Sequence, residues 1–288
     1  MIAILGATGQ LGSAFVRLLG DACLPVTRRD LDLGQPGSIE PWIAAVHPQT
    51  VINCAAYTAV DRAETEPQIA TAINATAVGV LATATRAIGA RFITFSTDYV
   101  FSGEEAGGYI ETDATGPLNV YGASKLDGEI QALSANPSTL VIRTSWLLSG
   151  THDSFIAKIL RAVEANEAAV VDDQFGKPTI ADDLARGTLS ALEKHVEGVL
   201  HLTNQGVTNW YELARQATRL AGQDPDRVKP ISSSQLSRAA TRPAHSVLNS
   251  IRLEPLGIEL LSSYERLLGD VVQQAMRSGH GGRGDTSR

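Results

Sequence analysis

The strongest constraint in this 288-residue sequence is a run of three glycines that follows an apolar segment at its start. Met1 to Leu5 has the pattern of a buried strand, and the helix-like segment after it begins within the glycine run. Gly6 permits a tight turn, Gly9 lets a ligand approach the backbone, and Gly12 lets the helix pack closely on the strand. The amides at the helix start would then face an anion. The pattern predicts a dinucleotide-binding unit, the alternative being a glycine turn without a ligand.

Apolar runs of strand length alternate with helical segments through the first half of the chain. This rhythm is typical of a parallel sheet with helices on both faces and right-handed crossovers. The fold class predicted is therefore α/β, a Rossmann-type doubly wound parallel sheet. Further strands are predicted at Val51 to Cys54, Arg91 to Ser96 and Leu140 to Thr144, and helices at Gln10 to Leu19, Ile69 to Ile88 and Ser124 to Leu133.

After Trp146 the pattern is less regular, which predicts a second and smaller unit. Residues 1–146 are expected to form the dinucleotide-binding domain, and residues 147–277 a C-terminal substrate-binding lobe interleaved with elements that cover the sheet. The tail 278–288 is rich in Gly and Arg and is expected to be disordered. Helices are predicted at Ser154 to Ala165, Ile180 to Lys194 and Trp210 to Leu220, strands at Ala168 to Val171 and Gly198 to Thr203, and a serine-rich segment at Ile231 to Arg242.

Composition excludes several classes of function. A net charge of -7 and a pI near 5.4 leave no basic field for a nucleic acid, so any phosphate must be held locally. Two cysteines, Cys23 and Cys54, are too few for a disulfide scaffold. The start carries no charged leader, and we expect no apolar stretch long enough to span a bilayer. A cytoplasmic protein without a membrane partner is therefore expected, either a monomer or a homodimer.

The end of the second strand, near Val26 to Arg29, is where a dinucleotide fold selects its cofactor. A carboxylate there holds the ribose hydroxyls of NAD, whereas cations accept the extra phosphate of NADP. Arg28 and Arg29 therefore favour NADPH. Asp30 supports the alternative, NADH, and one or both arginines could instead be solvated.

Tyr121 and Lys125 stand four residues apart in a predicted helix, so their side chains share one face. A nearby ammonium and a cationic nicotinamide ring would favour the phenolate, moving the tyrosine pKa from its usual value of about 10 towards working pH. Such a pair also arises by chance on many helices. After a nucleotide-binding turn, we interpret Tyr121 as the proton donor.

Ser96-Thr97-Asp98 follows a predicted strand and so lies at the carboxyl edge of the sheet, where ligands bind in open α/β folds. The Thr97 hydroxyl can hydrogen-bond a carbonyl oxygen that gains charge during reduction. Asp98 is expected to bind sugar hydroxyls. The alternative is a turn in which Thr97 or Asp98 only caps the next segment.

Five further segments are NCAAYTAVDRAE at 53–64, STDYVF at 96–101, PLNVYGASKLDGE at 117–129, RTSW at 143–146 and DDQFGKPT at 172–179. Together they resemble the dTDP-4-dehydrorhamnose reductases, extended short-chain dehydrogenase/reductases that perform the last step of dTDP-L-rhamnose synthesis. The resemblance spans nearly the whole chain. It implies that the chain reduces the C4 keto group of dTDP-4-dehydro-L-rhamnose with NADPH, with Thr97, Tyr121 and Lys125 as the catalytic residues.

The resemblance also implies the positions of binding residues. On the cofactor side, Gly9, Gln10 and Leu11 would line the pyrophosphate, Asp32 and Leu33 the adenine, Ala55, Ala56 and Tyr57 the middle of the cofactor, and Tyr121 and Lys125 the nicotinamide ribose. On the substrate side, the residues implied are Val60, Thr97, Asp98, Tyr121, Trp146 and Arg242. Trp146 could instead be core, and Arg242 a surface ion-pair residue.

The sequence departs from the family at one place and leaves the metal open. Many relatives have Trp-Val-Tyr where this chain has Trp146-Leu147-Leu148, so a hydroxyl is lost. Some members are described as magnesium-dependent dimers; Glu254 and Glu259 are present, but no ligand cluster is legible, so no metal residue is predicted and Mg²⁺ stays optional. The alternatives are a sugar-nucleotide epimerase or dehydratase, and a non-catalytic subunit resembling the regulatory partner of methionine adenosyltransferase.

Overall fold

The computed structural model describes residues 1–151 and 154–280. Its centre is a sheet of six parallel strands in the order β10-β5-β4-β3-β1-β2. This order confirms the predicted doubly wound α/β fold. The sheet strands are β1 Ile2–Leu5, β2 Cys23–Val26, β3 Thr50–Asn53, β4 Arg91–Thr97, β5 Leu140–Thr144 and β10 Gly198–His201; the short outer strands are β6 Leu147–Leu148, β7 Ala168–Val171, β8 Phe175–Gly176, β9 Thr179–Ile180, β11 Thr208–Asn209 and β12 Val228–Ile231.

Helices cover both faces of the sheet and build the second unit. They are α1 Gln10–Leu19, α2 Ile39–Val46, α3 Val60–Ala63, α4 Pro67–Thr71, α5 Ala77–Ala87, α6 Val120–Ala135, α7 Phe155–Ala165, α8 Ala181–Glu193, α9 Trp210–Leu220 and α10 Tyr264–His280. Between α4 and α5 the chain forms one π-helical turn, Ala72–Thr76, so the three segments make one continuous helical run.

Alternation along the strands divides the core into two layers. Ile4 and Ile52 point to the face covered by α1 and α8, whereas Ala3 and Val51 point to the face covered by α2 and α5. Because successive side chains of a strand point to opposite faces, a strand buried on both sides must be apolar at every position. The near-continuous apolar runs of the sequence therefore predicted the central strands well.

The C-terminal unit has its own small core. Helices α7, α9 and α10 enclose an apolar cluster that includes Trp146, Ile156 and Tyr264. A parallel pair, β7 and β12, packs beside it and shares residues of α7 and α9.

The two units exchange chain segments. After β7 to β9 the chain returns to the sheet, where α8 packs on α1 and β10 pairs with β5. Leu253, Ile258 and Leu261, late in the sequence, lie in the same core as α1 and α8. The Arg252 guanidinium donates to the backbone carbonyls of Glu197 and Val199.

Some elements differ from the sequence-based expectation. Helices α2 and α10 were not predicted, and α6 begins at Val120 rather than Ser124 because the Asn119 side chain caps it by accepting from the Gly122 amide at 2.8 Å. The final helix continues past Ser278, where a disordered tail was predicted, to His280. Residues 281–288 of that predicted tail lie outside the described residues.

One helical run is long and apolar enough to cross a membrane by length and composition, which the sequence reasoning did not predict. It is Pro67–Ala87, and half of its most apolar stretch is buried in the protein. Its apolar residues pack on the sheet beside α2 and α6. A helix that covers a parallel sheet is apolar for this reason.

Candidate active site

A cavity of about 580 Å³ runs along the carboxyl ends of the sheet strands. This is the edge at which open α/β folds bind ligands. The cavity brings together most of the residues predicted for cofactor and substrate. Those that line it are Gly6, Gly9, Gln10, Leu11, Arg28, Asp32, Leu33, Ala55, Ala56, Thr97, Asp98, Tyr121, Lys125 and Trp146.

The glycine turn shapes one end of this cavity. Gly6 has φ +71°, and a Cβ there would lie 2.8 Å from the Ala55 amide nitrogen. A Cβ on Gly12 would lie 2.2 Å from the Gly6 carbonyl oxygen, so Gly12 packs α1 against the turn and does not line the cavity. Gly9 precedes α1, whose first turn has neither a side-chain cap nor an acidic residue. Its amides are therefore open to an anion, and the turn fits a pyrophosphate.

The residues after β2 form the adenosine end of the cavity. The Arg28 Nε lies 3.3 Å from Asp32 Oδ1, and the Arg28 side chain is 79% exposed. Asp30 is turned away, because its carboxylate accepts from the Thr27 amide at 2.8 Å and from the Thr27 hydroxyl at 2.7 Å. Arg28 and Asp32 line the cavity, whereas Arg29 and Asp30 do not. One cation is thus available for a ribose phosphate.

The residues that follow β3 form another part of the cavity wall. Ala55 and Ala56 line it, but Tyr57 does not, and its hydroxyl donates to Glu66 at 2.5 Å. The Tyr57 amide donates to the buried Asn74 side chain at 2.8 Å, and Asn74 also donates to the Ser124 hydroxyl at 3.0 Å. Asn74 lies in the π-helical turn and ties this wall to α6. A lone buried Asn within an apolar helical run was the signal that the sequence reasoning missed.

Tyr121 and Lys125 lie on adjacent turns of α6 and face the same cavity. The Lys125 Nζ donates to the Phe95 carbonyl oxygen at 2.6 Å, which holds the ammonium against β4. Burial lowers the pKa of Lys125 to about 8, and Glu129 partly opposes this. Burial raises the pKa of Tyr121 to about 12, although its hydrogen bond with Thr97 lowers it. In the chain alone, burial therefore outweighs the lowering of the tyrosine pKa that the sequence reasoning expected.

Thr97 and Asp98 end β4 at the centre of the cavity. The Tyr99 amide donates to Thr97 Oγ1 at 3.2 Å, and the Thr97 hydroxyl donates to Asp98 Oδ1 at 2.9 Å. The Asp98 side chain is buried, and burial raises its pKa to about 6. Thr97 does cap the turn that follows, as the alternative interpretation held, but it lines the cavity as well.

Three buried oxygens on the cavity wall lack a hydrogen-bond partner among the described residues. They are Ser96 Oγ, Asp98 Oδ2 and Thr144 Oγ1. Buried polar groups are nearly always satisfied, so unpartnered ones that face a cavity indicate a polar ligand. Ser96 and Thr144 end the neighbouring strands β4 and β5, and Thr144 was not among the residues predicted.

Trp146 forms the far wall of the cavity and is only 9% exposed. Its ring stacks on Trp210 with centroids 3.8 Å apart and planes at 9°. Its backbone has φ +46°, which is unusual for a bulky residue, and a Cβ on Gly176 would lie 2.5 Å from the ring. The ring is therefore held by packing on both faces, as a wall rather than as a mobile side chain.

A second cavity of about 350 Å³ has no lining residue in common with the first, but the stacked rings of Trp146 and Trp210 line one cavity each. Arg238 and Arg242 line it with the aromatic rings of Phe155 and Trp210. Arg242, predicted on the substrate side, makes two hydrogen bonds of 2.6 Å with Asp61, so it is also the ion-pair residue of the alternative. Val60 begins α3 and lines neither cavity.

No group of three or more His, Cys, Asp or Glu that suits a metal occurs among the described residues. Glu254 and Glu259, considered for magnesium, are both exposed.

The chain is similar to known proteins in both sequence and structure. A family model described as the RmlD substrate binding domain matches residues 1–277. The chain is 41% identical to a dTDP-4-dehydrorhamnose reductase of Streptomyces griseus, over 92% of this chain and 90% of that protein. It is 38% identical to a Streptomyces antibioticus protein named a probable dTDP-4,6-dihydroxy-2-methyloxan-3-one 4-ketoreductase, over 96% of each. The crystal structure of a Bacillus anthracis dTDP-4-dehydrorhamnose reductase in complex with NADP aligns at TM-score 0.91 and 32% identity, over 95% of this chain and 98% of that one.

Proposed function

Because the chain belongs to the dTDP-4-dehydrorhamnose reductase family, we propose that it reduces the C4 keto group of dTDP-4-dehydro-L-rhamnose with NADPH. The product is dTDP-L-rhamnose. The observation that carries the proposal is the grouping of Thr97, Tyr121 and Lys125 on one wall of a cavity whose other end is a glycine turn. Neither the triad nor the turn would be specific alone.

The cofactor end of the cavity fits NADPH residue by residue. The open amides of α1 and the glycine turn would hold the pyrophosphate, and Arg28 would meet the phosphate on the adenosine ribose. Bound there, NADPH supplies the hydride that is added to C4 of the sugar. Lys125, fixed by the Phe95 carbonyl, would donate to the nicotinamide ribose hydroxyls and keep a positive charge beside Tyr121.

The substrate end supplies the proton. Tyr121 would donate its hydroxyl proton to the C4 oxygen as that oxygen gains negative charge, and Thr97 would hydrogen-bond the same oxygen. The wall of Trp146 would cover the sugar on the side away from Tyr121. The proton from Tyr121 and the hydride from NADPH together complete the reduction.

We place the nucleotide part of the substrate in the second cavity. Arg238 and Arg242 carry two positive charges there, and only Asp61 among the lining residues carries a negative one. A diphosphate would balance this excess, and the rings of Phe155 and Trp210 offer an apolar face to a pyrimidine base. The stacked pair Trp146 and Trp210 lies between the two binding positions, because each ring lines one of the cavities.

The test is oxidation of NADPH by the purified protein with freshly made dTDP-4-dehydro-L-rhamnose. Rapid oxidation with formation of dTDP-L-rhamnose is expected, with NADH slower and EDTA-treated protein compared alongside. No oxidation of NADPH with verified substrate and bound cofactor would refute the proposed reaction. Tight retention of NAD through many turnovers would favour an epimerase or dehydratase, and a stoichiometric enzyme partner without reductase activity would favour the regulatory role.

A second dTDP-keto-sugar belongs in the same assay. The 38% identical relative from Streptomyces antibioticus is named for a different 4-keto substrate, so reductases of this family differ in the sugar. We therefore expect the rhamnose precursor to be preferred over dTDP-4-keto-6-deoxy-D-glucose, from which it differs in configuration at C3 and C5, as measured by kcat/KM. We also propose that the protein is cytoplasmic, that it is a monomer or a homodimer, and that Mg²⁺ is optional. Fractionation, light scattering and the EDTA arm test these three points.

A further inference from the structure

The Thr97 hydroxyl has only one proton, and the structure shows where that proton goes. It is donated to Asp98 Oδ1 at 2.9 Å, while the Tyr99 amide donates to the Thr97 oxygen at 3.2 Å. The Tyr121 hydroxyl is also hydrogen-bonded with Thr97, and this contact lowers the pKa of Tyr121. A hydroxyl has a single proton to donate. Because that proton is directed to Asp98, Thr97 has none left to donate to a substrate.

The reaction proposed above needs the opposite arrangement. There the Thr97 hydroxyl must donate to the C4 oxygen, and the Tyr121 proton must point at the same oxygen. We propose, resting on that function, that Asp98 must be protonated for the site to become productive. The carboxylic acid would donate to Thr97 Oγ1, and the hydroxyl proton of Thr97 would then be free for the C4 oxygen. Asp98 would be a positioning residue, since its own proton is neither transferred nor consumed.

The surroundings of Asp98 favour its neutral form. The side chain is 2% exposed, and its Oδ2 has no hydrogen-bond partner among the described residues, which leaves a carboxylate poorly solvated. Tyr99 and Tyr121 face it, and the pKa of each is raised by its charge. Hydrogen bonds from the Ser246 and Thr97 hydroxyls and from the backbone amides of Asp98 and Tyr99 lower the pKa of Asp98, but burial outweighs them and brings the value to about 6.

The charged groups of the neighbouring elements do not reverse this. The Arg242 guanidinium is paired with Asp61, and Arg238 acts on Tyr99. The ammonium of Lys125 is directed to the Phe95 carbonyl. A substrate diphosphate adds negative charge and excludes water, and both effects raise the pKa of a nearby carboxyl further. Substrate binding would therefore protonate Asp98 and release the Thr97 proton in one event.

The first test is the pH profile of the wild-type holoenzyme. The productive form exists below the pKa of Asp98, so the rate falls as pH rises through it. We expect kcat/KM, which reports the free enzyme, to fall about tenfold between about pH 7 and about pH 8. The same limb in kcat should lie at higher pH, because kcat reports the substrate complex. Lys125, with a pKa of about 8, contributes its own limb at the upper end of this range, and Tyr121 contributes one at much higher pH.

The Asp98→Asn variant separates positioning from structure. Its carboxamide can donate to Thr97 at every pH, so the limb should vanish and kcat/KM should vary by less than about twofold over the same range. Asp127 is a carboxylate on α6 that accepts a hydrogen bond from Gln131 outside the cavity. Asp127→Asn is therefore the matched control and should keep the wild-type profile. Thr97→Ser, which retains the hydroxyl, should keep the limb as well. An Asp98→Asn profile identical to that of the wild type would overturn the proposal.

A binding measurement gives a readout that does not depend on turnover. Titration of the NADP-bound protein with dTDP-L-rhamnose at about pH 7, in two buffers of different ionisation enthalpy, measures protons taken up. A carboxyl with a pKa of about 6 is about nine-tenths ionised at that pH, so uptake should approach one proton. It should fall to the level set by Lys125 in Asp98→Asn, but not in Asp127→Asn. Binding without proton uptake in an active wild type would contradict only the role of Asp98. An inactive wild type would contradict the proposed function.

Discussion

Tyr121 is the residue on which the proposed chemistry depends most directly. Replacement by Phe removes the proton donor but keeps the ring that packs edge-on against Tyr99 at 5.7 Å. We expect kcat to fall by about 10²- to 10⁴-fold, the usual contribution of a positioned acid. The dissociation constant for NADPH, measured by fluorescence titration, should change by less than about threefold. Turnover near the wild-type level would show that another group supplies the proton.

Arg28 tests cofactor choice at the level of one side chain. Its neighbour Arg29 has the same charge but does not line the cavity, so the two form a matched pair. Arg28→Ala should lower kcat/KM for NADPH by about 10- to 150-fold and leave that for NADH nearly unchanged, because a charge-assisted hydrogen bond to phosphate contributes about 1.5 to 3 kcal/mol. Arg29→Ala should leave both unchanged. Equal losses for the two variants would place the phosphate elsewhere.

Residues whose role depends on one local turn could be predicted from the sequence. Residues that reach the site only through the tertiary structure could not. Gly6 and Gly12 follow from the sequence because the geometry of one turn demands them. Thr144 and Asn74 did not, because each reaches the site only through the order of the strands and a π-helical turn. Tyr57 shows the same limit, since its motif places the backbone correctly but Glu66 captures its hydroxyl.

At the scale of elements, the contact between α6 and β5 carries a buried ion pair. Arg143 and Glu129 are joined by hydrogen bonds of 2.7 to 3.1 Å, with side chains only 6% and 4% exposed. Removing one partner leaves a buried charge uncompensated. We therefore expect Glu129→Ala to lower the free energy of unfolding by about 3 to 5 kcal/mol, measured by denaturant titration.

The control for this prediction is a surface pair with the same chemistry. Arg62 and Glu66 are joined at 2.6 Å, but the Arg62 side chain is 70% exposed. Breaking it with Arg62→Ala should cost less than about 1 kcal/mol. A loss for Glu129→Ala as small as this would mean that water reaches Arg143.

Elements were predicted in proportion to their regularity. The bounds of α1 and α9 match the expected ones, because a strong 3.6-residue period fixes a helix. Helix α2 is short and carries Pro41 in its first turn, and α10 follows a long irregular stretch, so neither had a clear start signal. The start of α6 was predicted four residues too far along the chain, because it is set by the side-chain cap of Asn119.

At the scale of the whole molecule, one ion pair connects the nucleotide-binding half to the late segment. Asp61 lies in α3, within the crossover from β3 to β4, whereas Arg242 lies 181 residues further on. The Ala240 amide also donates to Asp61 at 3.1 Å. Arg242 holds the pKa of Asp61 below its usual range. Because the folded-state pKa is lowered, the pair stabilises the fold above the unfolded-state value of about 4, and this contribution is lost progressively as pH falls from that value towards the lowered pKa.

Two variants follow from this pair. Asp61→Asn should have a lower melting temperature than the wild type at neutral pH, and the difference should shrink as pH falls below about 4.

Arg242→Ala should also raise KM for the nucleotide sugar by about tenfold, without changing NADPH affinity, because a cation of the second cavity is lost. A melting difference that is constant with pH, or a KM that is unchanged, would contradict the respective role.

The predicted boundary at residue 146 shows what a linear pattern can convey about a whole chain. The change of pattern there coincides with the exit from β5 to β6. The later return of β10 and α8 to the sheet is a matter of topology, and no local property of Gly198 to His201 announces which strand it will join. The two predicted domains therefore exchange segments, and we expect neither residues 1–146 nor residues 147–277 to be a self-sufficient unit.

The late return of Leu253, Ile258 and Leu261 to the core beside α1 has a consequence for biosynthesis. A ribosome releases the glycine turn and the first strands long before it makes the residues that seal them. During that interval the nascent chain exposes the apolar side of α1 and the edge of β5, which makes it a client for chaperones. Nonsense mutations or proteolytic cleavage near the C-terminus would thus weaken the packing of the N-terminal elements.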